Sequence, residues 1–596
     1  MMNWASTQTS FASDPSPSMT VANHSAQQRA RLTQISLLAL SITLLIVALL
    51  VVPLWLSVLT PRWLVRILTT ALLWLSAVGY VLAIVLGPAC ILLTGTCLVR
   101  RSRWPRRQVL LRLLSLSLVA ILAVPCLELM AAVMLSNQHR PAALPTTLVA
   151  GTKDSISIVV IGESTAEGQP YHDWLDVGRI LAWKLRELDP RRSIHVQNLA
   201  TGGICLEQAV LTLTGLEQKP DLLILIAGHN EFQARYGWDR NVRHYVEELP
   251  TRPLHEVGLE SASRYSALLR LVRQTLDLTR VDLGPPPRVT RSLVDHPVCS
   301  RDEYEYLREA FANHLENVLS WCDRMEIIPI VIIPPANEAD FPPSRSVLDS
   351  RTPLLEREAF AQSVQQAIDL SRSDAPAAER LFAELIAQHD EFAETHYQLG
   401  KLLAARGDIS GANSHFSAAR DRDGLPLRCP PYFEQALRSV SRHHSNAIVV
   451  DGPAVFRAIT PTQRLDNRLF HDAQHPTLSG YVLLAQESLR QLAARDSLGI
   501  SGNAESLAID VSACAHAFEI DETVWSKVAD RSAHFFARTA YIRHDPSESL
   551  ARAHLLHEAS RAIADGARPE SLGIQGIGLE NPVPAHNNDP IGSASP

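Results

Sequence analysis

The stretch Ser157-Ile158-Val159-Val160-Ile161-Gly162-Glu163-Ser164-Thr165 constrains the fold more than any other in this chain. A run of β-branched apolar residues ends in a glycine, an acid and a serine. That is the pattern of a buried central strand carrying a hydroxyl to its carboxyl end, where open α/β sheets bind ligands. Gly168-Gln169-Pro170 comes next, and the amphipathic run from Trp174 to Leu188 reads as the helix that packs back on the sheet. Taken alone, a serine so placed is more often a helix cap or a turn residue. Three later segments reverse that reading.

The alternation of apolar strands with amphipathic helices continues from Ser155. Candidate strands are 156–161, 194–198, 222–227, 327–333 and 447–450, and the expected fold class is α/β, a doubly wound parallel sheet of about five strands. Between the third and fourth strands lies a long segment: mostly helical over 241–282, broken at Gly284-Pro285-Pro286-Pro287, then helical again near 301–325. Its length suggests a lid over the site or a linker. Between the fourth and fifth strands, Leu399-Gly400, Gly407, Ala412, Phe416 and Ala419 resemble the tetratricopeptide helix–turn–helix unit, whose period is about 34 residues. One repeat back, Ala378 and Phe382 match, so one clear repeat and one degenerate one are expected; the alternative is a helical hairpin that only looks like a repeat. Two hairpins cannot form a long solenoid, because end faces need covering. They are expected to dock on the sheet domain or to offer a surface to a protein partner. Further helical runs lie at 522–542 and 548–565, with Asp545-Pro546-Ser547 supplying the stop and the next cap.

At 596 residues the chain is too long for one ordinary domain. A net charge of −7, with no basic surplus in any folded segment, excludes a general nucleic-acid binder. The apolar excess lies before Ser136, in three nearly charge-free stretches at 35–59, 67–99 and 113–135; a bilayer span takes about 20 residues. Gly87-Pro88 interrupts the second, and Glu128 sits near the far end of the third, where it is read as reaching water at the outer interface. Arg100, Arg101, Arg103, Arg106, Arg107 and Arg112 crowd the loop between the second and third stretches, against Arg62 and Arg66 in the first loop. Basic loops stay cytoplasmic, so three crossings leave the tail inside and export everything after Leu135. A hairpin in the second stretch is the rival, giving four crossings. The expected division is a disordered cytoplasmic tail (1–31), a membrane domain with three transmembrane helices (32–136), a linker (137–154), a sheet domain in two parts (155–334 and 426–493) around the helical insertion (335–425), a C-terminal helical region (494–572) and a disordered end (573–596). The 8 cysteines include no C-x-x-C pair, so neither a zinc site nor a disulfide framework is indicated.

The second strand ends Asn198-Leu199-Ala200-Thr201-Gly202-Gly203, the third ends Ala227-Gly228-His229-Asn230-Glu231, and past the fifth comes Phe470-His471-Asp472-Ala473-Gln474-His475-Pro476. Ester cleavage needs these parts. A hydroxyl becomes a useful nucleophile when an imidazole takes its proton, and a carboxylate must hold that imidazole in the right tautomer. The developing oxyanion needs preorganised donors, each worth roughly 3–4 kcal/mol. Ser164 is the candidate nucleophile, His475 the base and Asp472 the orienting acid. The amides of Ser164 and Gly203 and the side chain of Asn230 are the candidate oxyanion donors. No cofactor and no metal is called for.

The set Gly162-Glu163-Ser164, Gly203, Gly228-His229-Asn230-Glu231 and Asp472-Ala473-Gln474-His475-Pro476 resembles the four blocks of the SGNH (GDSL-type) esterase and lipase superfamily, in order and in placement at strand ends, over about residues 155–493. The resemblance implies a three-layer, flavodoxin-like sheet domain and assigns the serine, the block glycine and the asparagine to the oxyanion hole, and the D-x-x-H segment to acid and base. Gly203 rather than Gly202 fits the family block by its distance from Asn198. Two aspartates of the family pattern are glutamates here, Glu163 and Glu231. His229 points either at substrate or into a structural hydrogen bond. Other chemistries fit less well: Ala166 breaks the Gly-x-Ser-x-Gly elbow of α/β-hydrolases, and His471 with His475 has metal-ligand spacing, but Pro476 and the loop context oppose it. The expected activity is a membrane-anchored exoplasmic serine esterase acting on an acylated envelope glycan or lipid. A polysaccharide O-acetyltransferase is the nearest variant, and a non-catalytic scaffold binding partners through the repeat segment is the competing class.

Overall fold

A computed structural model describes residues 127–131, 143–152, 154–232, 267–268, 292–295, 301–349 and 351–579. The chain divides into two compact units, Met1–Gln138 with Pro253–Asp282, and His139–Arg252 with Leu283–Pro596. In the first, the described residues are helical at 127–131 and 267–268, and the Leu268 amide donates to Glu128 (3.3 Å). Among the described residues no helix is long and apolar enough to cross a membrane. The stretches 35–59 and 67–99, and all of 113–135 except 127–131, lie outside the described residues, as do the arginine-rich loop, the tail and nearly all of 241–282.

The sheet domain lies in the second unit. Its centre is a five-stranded parallel sheet in the order β2-β1-β3-β4-β5, built from β1 (Ser155–Gly162), β2 (Ser193–Asn198), β3 (Leu222–Ile226), β4 (Ile328–Ile333) and β5 (Ile448–Asp451). β3 is buried at every position and β1 nearly so, the signature of strands covered on both faces. Alternate residues of β1 serve opposite layers. Ile156, Ile158 and Val160 face a core closed by α2 (Val177–Leu188), α10 (Gly452–Ile459) and α11 (Leu478–Ala494). Val159 and Ile161 face α3 (Leu206–Thr212), α4 (Arg301–Met325) and α9 (Pro431–Arg442).

The connections explain where the site lies. α2 links β1 to β2 over one face of the sheet, while α3 links β2 to β3 over the other. Winding therefore reverses between β1 and β3, and a crevice opens beyond their carboxyl ends. β1 and β3 run in register from Ile158↔Leu222 to Gly162↔Ile226, so the turns that begin at Glu163 and at Ala227 emerge side by side. α1 (Ser164–Glu167) is a single turn starting at the serine.

The C-terminal region is part of the same layer. α12 (Val511–Ala517), α13 (Glu522–Thr539) and α14 (Ser547–Ala564) place Cys514, Trp525, Val528, Phe536 and Leu556 in the core that holds Ile158. Each large apolar side chain so buried contributes about 1.5–3 kcal/mol. α12 was not anticipated from sequence; at 7 residues, with Cys514 and Ala515 its buried positions, it carries too little periodicity to read. Between β4 and β5, α5 (Leu354–Leu370), α6 (Ala375–Gln388), α7 (Ala393–Ala405) and α8 (Ile409–Asp421) share a separate core. The repeat positions Ala378, Phe382, Leu399, Ala412, Phe416 and Ala419 all lie in it. Gly400 brings α7 close to α8: a Cβ there would sit 2.9 Å from the Phe416 ring.

Gly162 is the tightest point of the sheet. Its φ is +139°, and a Cβ would stand 2.0 Å from the Ile226 carbonyl oxygen. Gly162→Ala should lower the unfolding free energy by at least the ~1–3 kcal/mol that a strained φ alone costs, read as a lower denaturant midpoint. An unchanged midpoint would show that β1 and β3 do not meet so closely.

Candidate active site

β1 delivers Ser164 to the crevice through Gly162 and Glu163, and the serine is 6% exposed. His475 arrives from the opposite end of the chain. The segment after Phe470 closes on itself, with Phe470 bridged to Pro476 and the His471 amide donating to the His475 carbonyl (2.9 Å). Thr477 then caps α11 by accepting from the Gly480 amide. This closed loop aims the imidazole at the serine: Ser164 Oγ lies 2.8 Å from His475 Nε2, and His475 Nδ1 lies 2.7 Å from Asp472 Oδ2. The other Asp472 oxygen accepts the amides of Gln474 (3.0 Å) and His475 (3.1 Å). Burial pushes the Asp472 carboxyl up, but the imidazole of His475 and these bonds outweigh it and hold the group below its ordinary value. A carboxylate that stays ionised fixes Nδ1–H on the imidazole and leaves Nε2 free to accept the serine proton.

The two glutamates, Glu163 and Glu231, are backbone clamps. Glu163 is fully buried, and its carboxylate accepts three consecutive amides: Gly228 (2.9 Å), His229 (2.9 Å) and Asn230 (3.2 Å). The residue preceding the serine thus fixes the turn that carries Asn230. Burial first, then the charge of Glu231, raises the Glu163 carboxyl above its ordinary value. Glu231 in turn accepts the Leu206 amide at the start of α3 (2.8 Å).

Asn230 is 1% exposed, and its side-chain Nδ2 makes no hydrogen bond among the described residues. His229 is equally buried. Its Nδ1 accepts the Cys429 amide (2.9 Å), which assigns the remaining proton to Nε2, and that Nε2–H is likewise unpaired. Burial, and next the proximity of His475, lower the His229 pKa to about 3, so it is a neutral donor at ordinary pH. Two adjacent buried groups with unspent N–H bonds are costly, about 1–3 kcal/mol each, unless something accepts from them. The glycine turn after β2 lies against the serine: a Cβ at Gly202 would be 3.6 Å from Ser164 Cβ. Gly203, next in that turn at φ +79°, has open space on its Cα.

Every residue named from sequence as nucleophile, base or acid is thus in one hydrogen-bonded chain, and Asn230 is held by its amide to Glu163, the residue before the serine. Several partners were not read from sequence. Gln474 Nε2 approaches Ser164 Oγ (3.4 Å), Asn337 Nδ2 donates to the Asp472 carbonyl (3.1 Å), and the Phe535 ring of α13 packs edge-on against His475, centroids 5.4 Å apart. No local pattern announces such contacts, because each depends on how the chain packs in three dimensions. The His471 Nε2 bonds the Tyr171 hydroxyl (2.8 Å), and burial lowers its pKa to about 3. Among the described residues, one group has side chains placed to hold a metal: Asp530, His534 and His557, paired across α13 and α14. Among the described residues, Cys205, Cys322, Cys429 and Cys514 are buried and in no disulfide. No protein-family model matches the chain, and a search of curated proteins finds no match.

His229 and His471 stay neutral in the fold down to about pH 3, whereas an unfolded histidine takes up a proton near 6.5. Their contribution to stability is complete above 6.5 and drains away as pH falls, by about 2 kcal/mol per histidine at pH 5. The thermal midpoint should therefore fall from pH 7 to pH 5, and His471→Gln should flatten that slope. An equal slope in the variant would mean that His471 is not held neutral.

Proposed function

We propose that this chain is a serine esterase of the SGNH (GDSL-like) type, working through a Ser164 acyl-enzyme. The observation that carries the reading is the unbroken relay Asp472–His475–Ser164, joined by two short hydrogen bonds, with the turn that carries the unpaired donor of Asn230 clamped by Glu163, the residue before the serine. The Ser164 proton passes to His475 Nε2 as Oγ bonds to the ester carbon. The carbonyl oxygen becomes an oxyanion accepting from Asn230 Nδ2 and from the amides of Ser164 and Gly203, and His229 Nε2–H is an additional neutral donor on the same turn. The C–O bond to the alcohol then breaks, and the alcohol leaves with the proton held by His475. A water gives its proton to His475 and attacks the acyl carbon; the bond from that carbon to Oγ breaks as His475 returns the proton to Oγ, releasing the acid and restoring the serine.

The arginine-rich loop and the apolar N-terminal stretches support a multi-pass membrane anchor with the N-terminus cytoplasmic and this domain on the exoplasmic side. An acylated envelope glycan or lipid is the substrate class such a placement favours. A sugar hydroxyl in place of water makes the same site an O-acetyltransferase. The repeat-like helices α5–α8 offer a surface for a protein partner beside it.

The purified full chain should hydrolyse a short-chain aryl acetate, and Ser164→Ala should abolish this. Asp472→Asn, which leaves the shape intact but frees the tautomer, should lower kcat about 10⁴-fold. An inactive but folded wild-type chain would favour the scaffold reading. Asn230→Ala should cost about 10²–10³ in kcat, the loss seen for one oxyanion donor. A variant with full kcat would remove Asn230 from that role.

A further inference from the structure

A second cleft, of about 470 Å³, opens where three parts of the fold meet: helices α7 and α8, the loop that leads into the Asp472–His475 segment, and the C-terminal helices α13 and α14. Its charges do not cancel. Lys401, Arg464 and Arg552 line it against Asp340 and Glu548. Glu548 is taken by Lys401, and the Asp340 carboxylate accepts the Asn467 amide (3.0 Å). Two of the cations rest on aromatic faces, Lys401 over Tyr397 (5.5 Å) and Arg464 over Phe416 (5.8 Å). A ring face holds a cation in place without neutralising it.

The guanidinium donors are underused. Arg464 Nε and Nη2 and Arg552 Nε are buried and donate to nothing among the described residues. Arg552 spends Nη2 on the Gln575 carbonyl (2.9 Å), and burial lowers its pKa against the opposing pull of Asp340. Those enclosed atoms are out of a ligand's reach, but both arginines are only half-buried and line the cleft, and planar guanidinium forks are matched by the oxygens of a carboxylate or phosphate. The volume is in the range of small-molecule sites. The neutral polar side chains of Asn467, Ser549 and Gln575 stand beside the aromatic walls, a lining suited to a hydroxylated ring.

We propose that this cleft binds an anionic sugar, its carboxylate or phosphate received by Arg464 and Arg552 and its ring by the surrounding walls. The site is separate from ester cleavage and stands whether or not Ser164 is a nucleophile. Its wall adjoins the candidate acid: Asn467 Oδ1 accepts from Asn337 Nδ2 (2.9 Å), the group that also donates to the Asp472 carbonyl.

The test is calorimetric titration of the full chain carrying Ser164→Ala, so that nothing is turned over, with glucuronate, glucose 6-phosphate, glucose and inorganic phosphate. Saturable binding of glucuronate identifies a sugar acid as the occupant, and saturable binding of glucose 6-phosphate a sugar phosphate; glucose should not bind. Arg464→Gln should weaken the binding about 10-fold or more, the value of a charge-assisted hydrogen bond. The double variant with Arg552→Gln should abolish it, while circular dichroism and the thermal midpoint report that both variants fold. Absence of saturable binding by either anionic sugar, equal binding in the folded double variant, or inorganic phosphate binding as tightly as the sugars would overturn the proposal.

Discussion

A proton can pass between Ser164 and His475 only if residues 311 apart in the chain are held within one hydrogen bond of each other. That requirement organises the fold. The serine is fixed by β1, whose register with β3 is set by apolar residues on both faces, and a one-residue slip would turn each of them to the wrong layer. The histidine is fixed by a loop closed on itself and capped onto α11. Thr165 Oγ1, donating to the Gln474 carbonyl (3.3 Å), ties the two pieces directly.

The same economy appears around Glu163. One buried carboxylate, adjacent to the serine in sequence, gathers the amides of residues 228–230. The strand that presents the hydroxyl therefore also sets the turn that presents Asn230.

Legibility in the sequence tracks physical range. The five strands were legible to within a residue or so, because fully buried parallel strands are short uninterrupted apolar runs between turn signals. That Ser164, Asp472 and His475 would meet was legible because each sits at a strand end or in a compact loop whose neighbours mark it. The amphipathic spacing of Ala378, Phe382, Ala412 and Phe416 gave the helical insertion. The role of Glu163 was not legible: a glutamate in place of an aspartate looks like a loss until its three amide partners are in view. Nor was Phe535 against His475, or the unpaired Nε2–H of His229. These depend on the C-terminal helices folding back over the sheet and on a single amide, from Cys429, selecting a tautomer. Periodicity reports which face of a helix is buried, not what lies opposite.

The C-terminal helices and the insertion therefore do more than enlarge the domain. α13 contributes Phe535 beside the imidazole and Phe536 to the wall of the second cleft, while its Arg531 donates to the Pro170 carbonyl (2.6 Å) just past the serine turn. The candidate active site and the cleft share this helix as structural support.

Ser164 is a nucleophile only if His475 makes it one, and covalent trapping reads that most directly. The native chain treated with a serine-directed fluorophosphonate, then digested and analysed by mass spectrometry, should carry the phosphonyl adduct on Ser164, and the adduct should disappear in His475→Ala. A folded native chain that takes up no adduct at Ser164, or labels equally well without His475, would contradict it.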